Sequence, residues 1–390
     1  MTLGCSTLRM RAVLTVVLAL GCAEAFAQSP VAAPPDQPAT ASGSSNTGPF
    51  SGYMDFHFNK PDGQDAVLDF HRFVLLFMHS FSPRIRFVSE LELEHALVEG
   101  LEEKGELELE QAYLDFLISR SFNVRAGMVL VPVGIINERH EPPVFNGVER
   151  PFVDTVIVPT TWFELGAGIH GELGQGWRYR GYVTAPLDAA EFSADEGLRG
   201  GLQKGSKSVA HEAAFTGRIE YVGTPDLQVG ASFWSGPANV SIRRVESAVR
   251  LGEFDARYSP GRLELRAQYA QVGIREAGAL NEAIQQLTGV SPNVAERLRG
   301  FYAEVGYRVW DAGPARDLVT FVRYESFDTQ NRMPAGFLPL EEFDRKAWTV
   351  GITYYPEPDV AVKADYVRLA NAGDLFPTRH VVNLGLGWWF

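Results

Sequence analysis

Beyond residue 22 the chain has no cysteine. Its only two, Cys5 and Cys22, lie in an N-terminal leader, so no disulfide can brace the remainder, even in an oxidising compartment. No apolar run approaches the ~18–20 residues of a transmembrane helix, which excludes a helical membrane protein. No basic stretch is long enough to track a phosphate backbone: Lys+Arg 35 against Asp+Glu 48 gives −13, and nucleic acid is disfavoured as a partner. Enzyme signatures are missing too. His140-Glu141 lacks the second His four residues after the first that a helix-borne zinc pair needs. The eight histidines show no ligand spacing, and no Gly-x-Ser-x-Gly elbow occurs. In Gly200 to Ser208, Ser206 stands where a phosphate loop places Lys after its second Gly, so that stretch reads as a flexible loop. No catalytic residue, metal or cofactor is expected.

What is present begins with an address. Arg9 and Arg11 precede the apolar stretch Ala12 to Leu20, and Ala25-Phe26-Ala27 supplies a small-x-small cleavage pattern. Residues 1–27 are therefore expected to be a signal peptide. Cys22 hints at lipidation, but Ala19 sits where a lipobox wants Leu. Without Arg9, Arg11 and Glu24 the chain keeps 33 basic and 47 acidic residues, net −14. Residues 28–50, rich in Ala, Pro, Ser and Gly, read as a flexible linker. An exported chain of this size without disulfides needs another source of stability, which points to a closed barrel.

From residue 51 to 390 the hydrophobic period is two. Val382, Leu384, Leu386, Trp388 and Phe390 alternate with Asn383, Gly385, Gly387 and Trp389. In 84–94, Ile85, Phe87, Leu91 and Leu93 oppose Arg84, Arg86, Glu90, Glu92 and Glu94. Such segments run about twice the ~5–6 residues of a soluble strand, the length that a tilted strand needs to cross the hydrocarbon layer. Turn signals divide the region into strands near 51–59, 66–81, 84–97, 106–118, 122–131, 160–173, 176–186 and 211–222. The others fall near 226–235, 245–258, 261–274, 298–310, 316–327, 343–355, 358–369 and 378–390. The fold class is all-β, an antiparallel transmembrane β-barrel of about 16 strands, within a range of about 14–18. Tyr53, Phe81, Trp177, Tyr221, Trp234, Tyr258, Trp310, Tyr354, Trp388 and Phe390 sit at strand ends, where aromatic girdles belong. Leu280 to Leu287 reads as one or two turns of helix ended by Gly289. The acidic stretch from Glu99 to Glu110 reads as a solvated rim.

Opposite the lipid phase lie Arg84, Arg86, Arg125, Arg178, Arg180, Arg218, Arg257, Arg266, Arg308, Arg323 and Lys363. A guanidinium facing lipid would cost about 2–4 kcal/mol at the midplane, so these are pore-lining candidates. Either they line the lumen as free cations that favour anions, or they pair with carboxylates such as Glu90, Glu92, Asp115, Glu220, Asp255, Glu264, Glu304, Glu325 and Asp365. The proline-rich connection 131–159, after strand 5, holds the densest charge cluster outside the strands. Folded inward, it would narrow the pore and make Arg139, His140, Glu149 and Arg150 constriction candidates; the alternative is an external loop in solvent.

The C-terminal alternation ending in Phe390 resembles the assembly signal that outer-membrane barrels present to the barrel-assembly machinery. Arg125 to Gly134 (RAGMVLVPVG), Phe321-Val322-Arg323-Tyr324-Glu325 and Val362-Lys363-Ala364-Asp365-Tyr366 resemble the porin O and P family, the phosphate-selective porins and their relatives. That resemblance covers 51–390. It implies a 16-stranded barrel, a homotrimer, an inward-folding loop after an early strand and, for the phosphate-selective members, a ladder of lumen cations. The expectation is an outer-membrane porin of a Gram-negative-type bacterium, not an enzyme. It would sit in the lipid bilayer and pass small polar solutes, anions such as phosphate foremost. The alternatives are a cation-preferring general porin, or a barrel with an enzymatic or plugged structural role.

Overall fold

The structure is a computed structural model that describes residues 50–95, 105–311, 317–373 and 377–390. The expected signal peptide, the linker up to residue 49, residues 96–97 of the third strand and 99–104 of the acidic stretch lie outside the described residues. Among the described residues no helix is long and apolar enough to cross a membrane.

The first eight strands are β1 (Phe50–Pro61), β2 (Val67–Ser82), β3 (Ile85–Glu94), β4 (Leu107–Leu117), β5 (Asn123–Leu130), β6 (Phe163–Gly174), β7 (Trp177–Thr184) and β8 (Ala214–Thr224). The second eight are β9 (Leu227–Pro237), β10 (Ala248–Tyr258), β11 (Leu263–Arg275), β12 (Arg297–Asp311), β13 (Asp317–Arg332), β14 (Asp344–Glu357), β15 (Val360–Asn371) and β16 (Arg379–Trp389). Each pairs antiparallel with its chain neighbours, and β1 pairs β16 with Tyr53 opposite Trp389, so the sheet closes into a sixteen-stranded barrel with no free edge. Every expected strand is present; β1 starts one residue earlier than expected, at Phe50, and β8 three later, at Ala214.

The wall is polar inside and apolar outside. On β16, Val382, Leu384 and Leu386 are exposed while Asn383 is buried; on β9, Val229 and Phe233 are exposed while Ser232 and Trp234 are buried. Leu165, Ile169, Phe215, Ile219, Phe254, Val305, Val350 and Ile352 continue the exposed apolar surface. Asp55, Arg72, Glu90, Asp115, Arg125, Glu253, Arg323 and Glu325 are buried. Strand geometry sends successive side chains to opposite faces, and in lipid the apolar set must be the outer one.

That parity corrects two girdle assignments. Tyr53 shares a face with Asp55 and His57 and is fully buried, and Trp234 packs inward against Trp162 at 5.5 Å. Phe81, Trp177 and Trp310 do lie exposed on the outside near strand ends. It also explains Arg84, which occupies the exposed turn between β2 and β3 and lines no lumen.

Inside, an apolar cluster joins inward residues of β9 to β12 (Trp234, Leu251, Val272, Leu298) to the connection after β5 (Val131, Ile136, Val153, Ile157, Trp162). A helix, α1 (Ala277–Thr288), adds Leu280 and Ile284, one turn apart on its buried face. It ends at Gly289, whose φ of 80° is the left-handed cap conformation that glycine adopts without steric cost. The expected turns at 280–287 are the middle of this longer helix.

Candidate functional site

The connection 131–162 runs through the barrel interior, and its sequence explains how. Asn137 closes its neck: the side chain donates to the Val131 and Trp162 carbonyls (2.7 and 2.9 Å) and accepts from the Trp162 amide (2.8 Å). Prolines at 132, 142, 143, 151 and 159 keep the segment from pairing as a strand, so its backbone groups need partners elsewhere. Inward side chains of the far wall supply them. On β10 and β11, Arg257 donates to the Ile135 carbonyl (2.8 Å) and Gln268 accepts from the Ile135 amide (3.3 Å). On β12 and β13, Glu304 accepts from Asn146 (3.1 Å) and Glu325 from the Val153 amide (3.1 Å). On β15, Asp365 accepts from the Val148 amide (2.6 Å), and Lys363 donates to the Phe145 and Gly147 carbonyls (2.8 and 2.7 Å). At β16 a Cβ on Gly387 would collide with Pro142, so only glycine lets the loop approach there.

Most of the strand cations are committed to carboxylates. Arg125 makes a two-pronged contact with Asp115 (2.8 and 3.0 Å), and Arg86 reaches the same carboxylate at 3.4 Å. Arg180 bridges Glu138 of the loop and Glu220 (2.5 and 3.0 Å). Arg218 grips Asp255 at 2.6 Å and Arg323 lies between Glu304 (3.3 Å) and Glu325 (3.0 Å). Arg178 lies 3.8 Å from Glu172, Arg266 3.8 Å from Glu304, and Arg308 pairs with Glu264 and Asp317 at 3.2 and 3.0 Å. Arg257 and Lys363 are held by loop carbonyls instead. Of the two arrangements the sequence left open, the paired network describes the strands.

The open space lies between the loop, the connection after β7 and the wall that runs from β13 through β16 and β1 to β3. A cavity of about 440 Å³ is lined by His57 and His71, by Glu94, Glu149, Asp195 and Glu196, and by Arg72, Arg150, Arg199, Arg345 and Arg379. A second, of about 150 Å³, shares Glu149, Arg150 and Phe152 with it and continues past Arg323, Asp365 and Asn383. Two of the five arginines have carboxylate partners, Arg72 with Asp55 (3.2 Å) and Arg345 with Asp195 (3.0 Å). Among the described residues, the guanidiniums of Arg150 and Arg199 bond the hydroxyl and the carbonyl of Thr160 respectively (both 3.3 Å).

The four loop candidates separate. Glu149 and Arg150 face the open space, with Glu149 also 3.0 Å from His57. Arg139 is half-buried, and His140 is buried against β3 and β4, away from both cavities. The acidic rim is corrected as well: Glu110 is fully buried and Glu108 is engaged by Lys204 at 2.5 Å. Sequence reasoning missed Arg199, Arg345 and Arg379, which lie on connections or strand ends, and Asn137 and Asp154, whose partners are remote in sequence. Gly200 to Ser208, read as a flexible loop, is tied by the Gln203 amide to Glu164 (3.0 Å) and by Lys204 to Glu108.

No family model matches the chain. Among solved structures it is similar to Salmonella typhi OmpF in complex with daunomycin (TM-score 0.59, 13% identity, 87% of this chain and 97% of that one). It is likewise similar to an anion-selective porin from Comamonas acidovorans (TM-score 0.56, 12%, 87% and 98%). The outer-membrane channel DcaP of Acinetobacter baumannii gives a TM-score of 0.55 at 12% identity, over 87% and 96%. At these identities the likeness is one of fold, the closed porin barrel. In sequence the chain is 38% identical over 335 residues to a protein of Aquifex aeolicus (strain VF5) described as uncharacterized, covering 81% of this chain and 74% of that one. The chain belongs to the family of that Aquifex aeolicus protein, and its fold is the barrel of outer-membrane porins.

Proposed function

We propose that the protein is an outer-membrane porin that passes small polar solutes by passive diffusion, with a preference for anions. The observation that supports this reading is the interior space: it is set inside an apolar-faced barrel and lined by five arginines beside Glu94, Glu149, Asp195 and Glu196, and among the described residues Arg150, Arg199 and Arg379 form no ion pair with a carboxylate. Fixed cations beside confined water raise the local anion concentration, and charged rings of this kind set selectivity. Phosphate belongs to the solute class such a surface would take. Export to the outer membrane, assembly as a homotrimer and a role without catalysis complete the reading.

The test is single-channel conductance of refolded protein lacking residues 1–27 in a planar bilayer under a salt gradient. Stable steps with an anion-directed reversal potential are expected. A cation-directed potential would hand control to Glu94, Glu149, Asp195 and Glu196, and make the protein a cation-preferring general porin. A second reading, a plugged barrel, draws on the apolar packing of 131–162 against β9 to β12; a folded barrel without conductance would favour it.

A further inference from the structure

Where β3 and β4 meet the folded-in loop, the molecule buries chemistry that permeation does not use. Glu90 of β3, Glu110 of β4 and His140 of the loop each bring one donor atom into a group lying within 4.8 Å of one another. All three side chains are buried. His140 Nδ1 lies 3.0 Å from the Asn137 carbonyl. A carbonyl only accepts, so Nδ1 carries a proton, and in the neutral imidazole Nε2 is then the nitrogen with the lone pair. Nε2 lies 3.2 Å from Glu110 Oε2 and 3.8 Å from Glu90 Oε1. Neither Glu110 oxygen nor His140 Nε2 has a hydrogen bond, and Glu92 Oε2 beside them is also without one. Three acceptors facing one another in a buried space repel and have lost their hydration, and either a cation or a shared proton between them offsets that cost. The neighbouring guanidinium, Arg72, is held by Asp55 at 3.2 Å.

We propose that Glu90, Glu110 and His140 bind a divalent transition-metal cation of the zinc or manganese type, which ties the loop to the barrel wall. Donors about 2.0–2.2 Å from one ion lie roughly 3–4 Å apart, and the separations of Nε2 from Glu110 and Glu90 fall in that interval. Two carboxylates with one imidazole suit zinc or manganese; calcium prefers an all-oxygen set. The outer partners are in place too. The Asn137 carbonyl fixes the His140 tautomer, while Tyr53 (3.2 Å) and Gln111 donate to Glu90. The other histidine cluster differs: Asp69 bonds His71 at 3.1 Å and His95 at 3.0 Å, so its groups satisfy one another.

The test uses the refolded chain in detergent carrying H71A and H95A, so that the second cluster binds nothing. After chelation the protein is dialysed against Zn²⁺ and its metal content measured, with isothermal titration for affinity and heat-shifted gel mobility to verify the barrel. One ion per chain is expected. Adding E110Q, or H140A as the variant outside the wall, should weaken binding by more than the about 10–100-fold that outer-shell partners contribute. Zinc should raise the unfolding temperature of the H71A/H95A protein and leave both added variants unmoved. A folded barrel without stoichiometric zinc, or retention of the ion by both variants, would overturn the site in favour of a protonated carboxyl–imidazole network. Neither readout depends on conduction, so failure here leaves the channel reading standing.

Discussion

Arg323 and Arg150 show how differently two interior arginines can serve. Arg323 is buried between Glu304 and Glu325 and also donates to the Asn146 and Glu149 carbonyls. Removing it strands two buried carboxylates, so Arg323→Ala should destabilise the barrel interior by about 3–5 kcal/mol, read as a lower midpoint of heat-shifted gel mobility. Among the described residues the Arg150 guanidinium hydrogen-bonds Thr160 through Nη1, and its Nε and Nη2 have no hydrogen bond. Arg150→Ala should therefore reduce anion preference, seen in the reversal potential, with little change in that midpoint. Asp154 of the loop carries a pH signature. Burial, opposed by the Gln268 amide at 2.8 Å, pushes its carboxyl up to about 7. An unfolded aspartate titrates near about 4, so across about pH 4–7 the folded loop holds the extra proton and loses stability as pH rises through that window. Asp154→Asn should flatten that slope in thermal unfolding followed from pH 4 to 8.

At the scale of elements, the loop is the informative case. Its length and prolines show that it is not a strand, yet its path rests on contacts such as Val148 with Asp365, 217 residues apart in the chain. No local pattern encodes such a pairing. Deleting residues from Glu138 to Arg150 should raise single-channel conductance, because the removed stretch fills interior space; unchanged conductance would mean that it does not limit flow. β16 gives the opposite lesson. Its alternation was legible residue by residue, and the end of the chain is held by paired backbone bonds between Phe390 and Gly52 (2.9 and 3.0 Å). The Phe390 ring also stacks at 6.0 Å from Phe73 on the outer face. Deleting Phe390 should reduce the yield of heat-modifiable barrel, both by removing this closure and by removing the signal that the assembly machinery would read.

For the whole molecule, closure replaces the missing disulfides: sixteen strands satisfy one another's backbone groups all round, as a hydrocarbon solvent demands. Resistance to SDS without heating is the expected consequence. Strand number, the two faces of the wall and α1 were legible because each follows from a local period, two for the strands and 3.6 for the helix. Tyr53 and Trp234 were misplaced because position near a strand end was weighed above that period. Which cations pair, and which stay free, was not legible, since it depends on register between strands and on the loop that reaches them. The amino-acid sequence alone thus determined a lipid-facing barrel with a charged interior, because alternation on a strand is a local property. Tertiary structure decided that most strand arginines are neutralised, that Arg150, Arg199 and Arg379 border the open space, and that Glu90, Glu110 and His140 meet. Ion pairs and donor sets are properties of distance in space, which a chain order carries only through its fold.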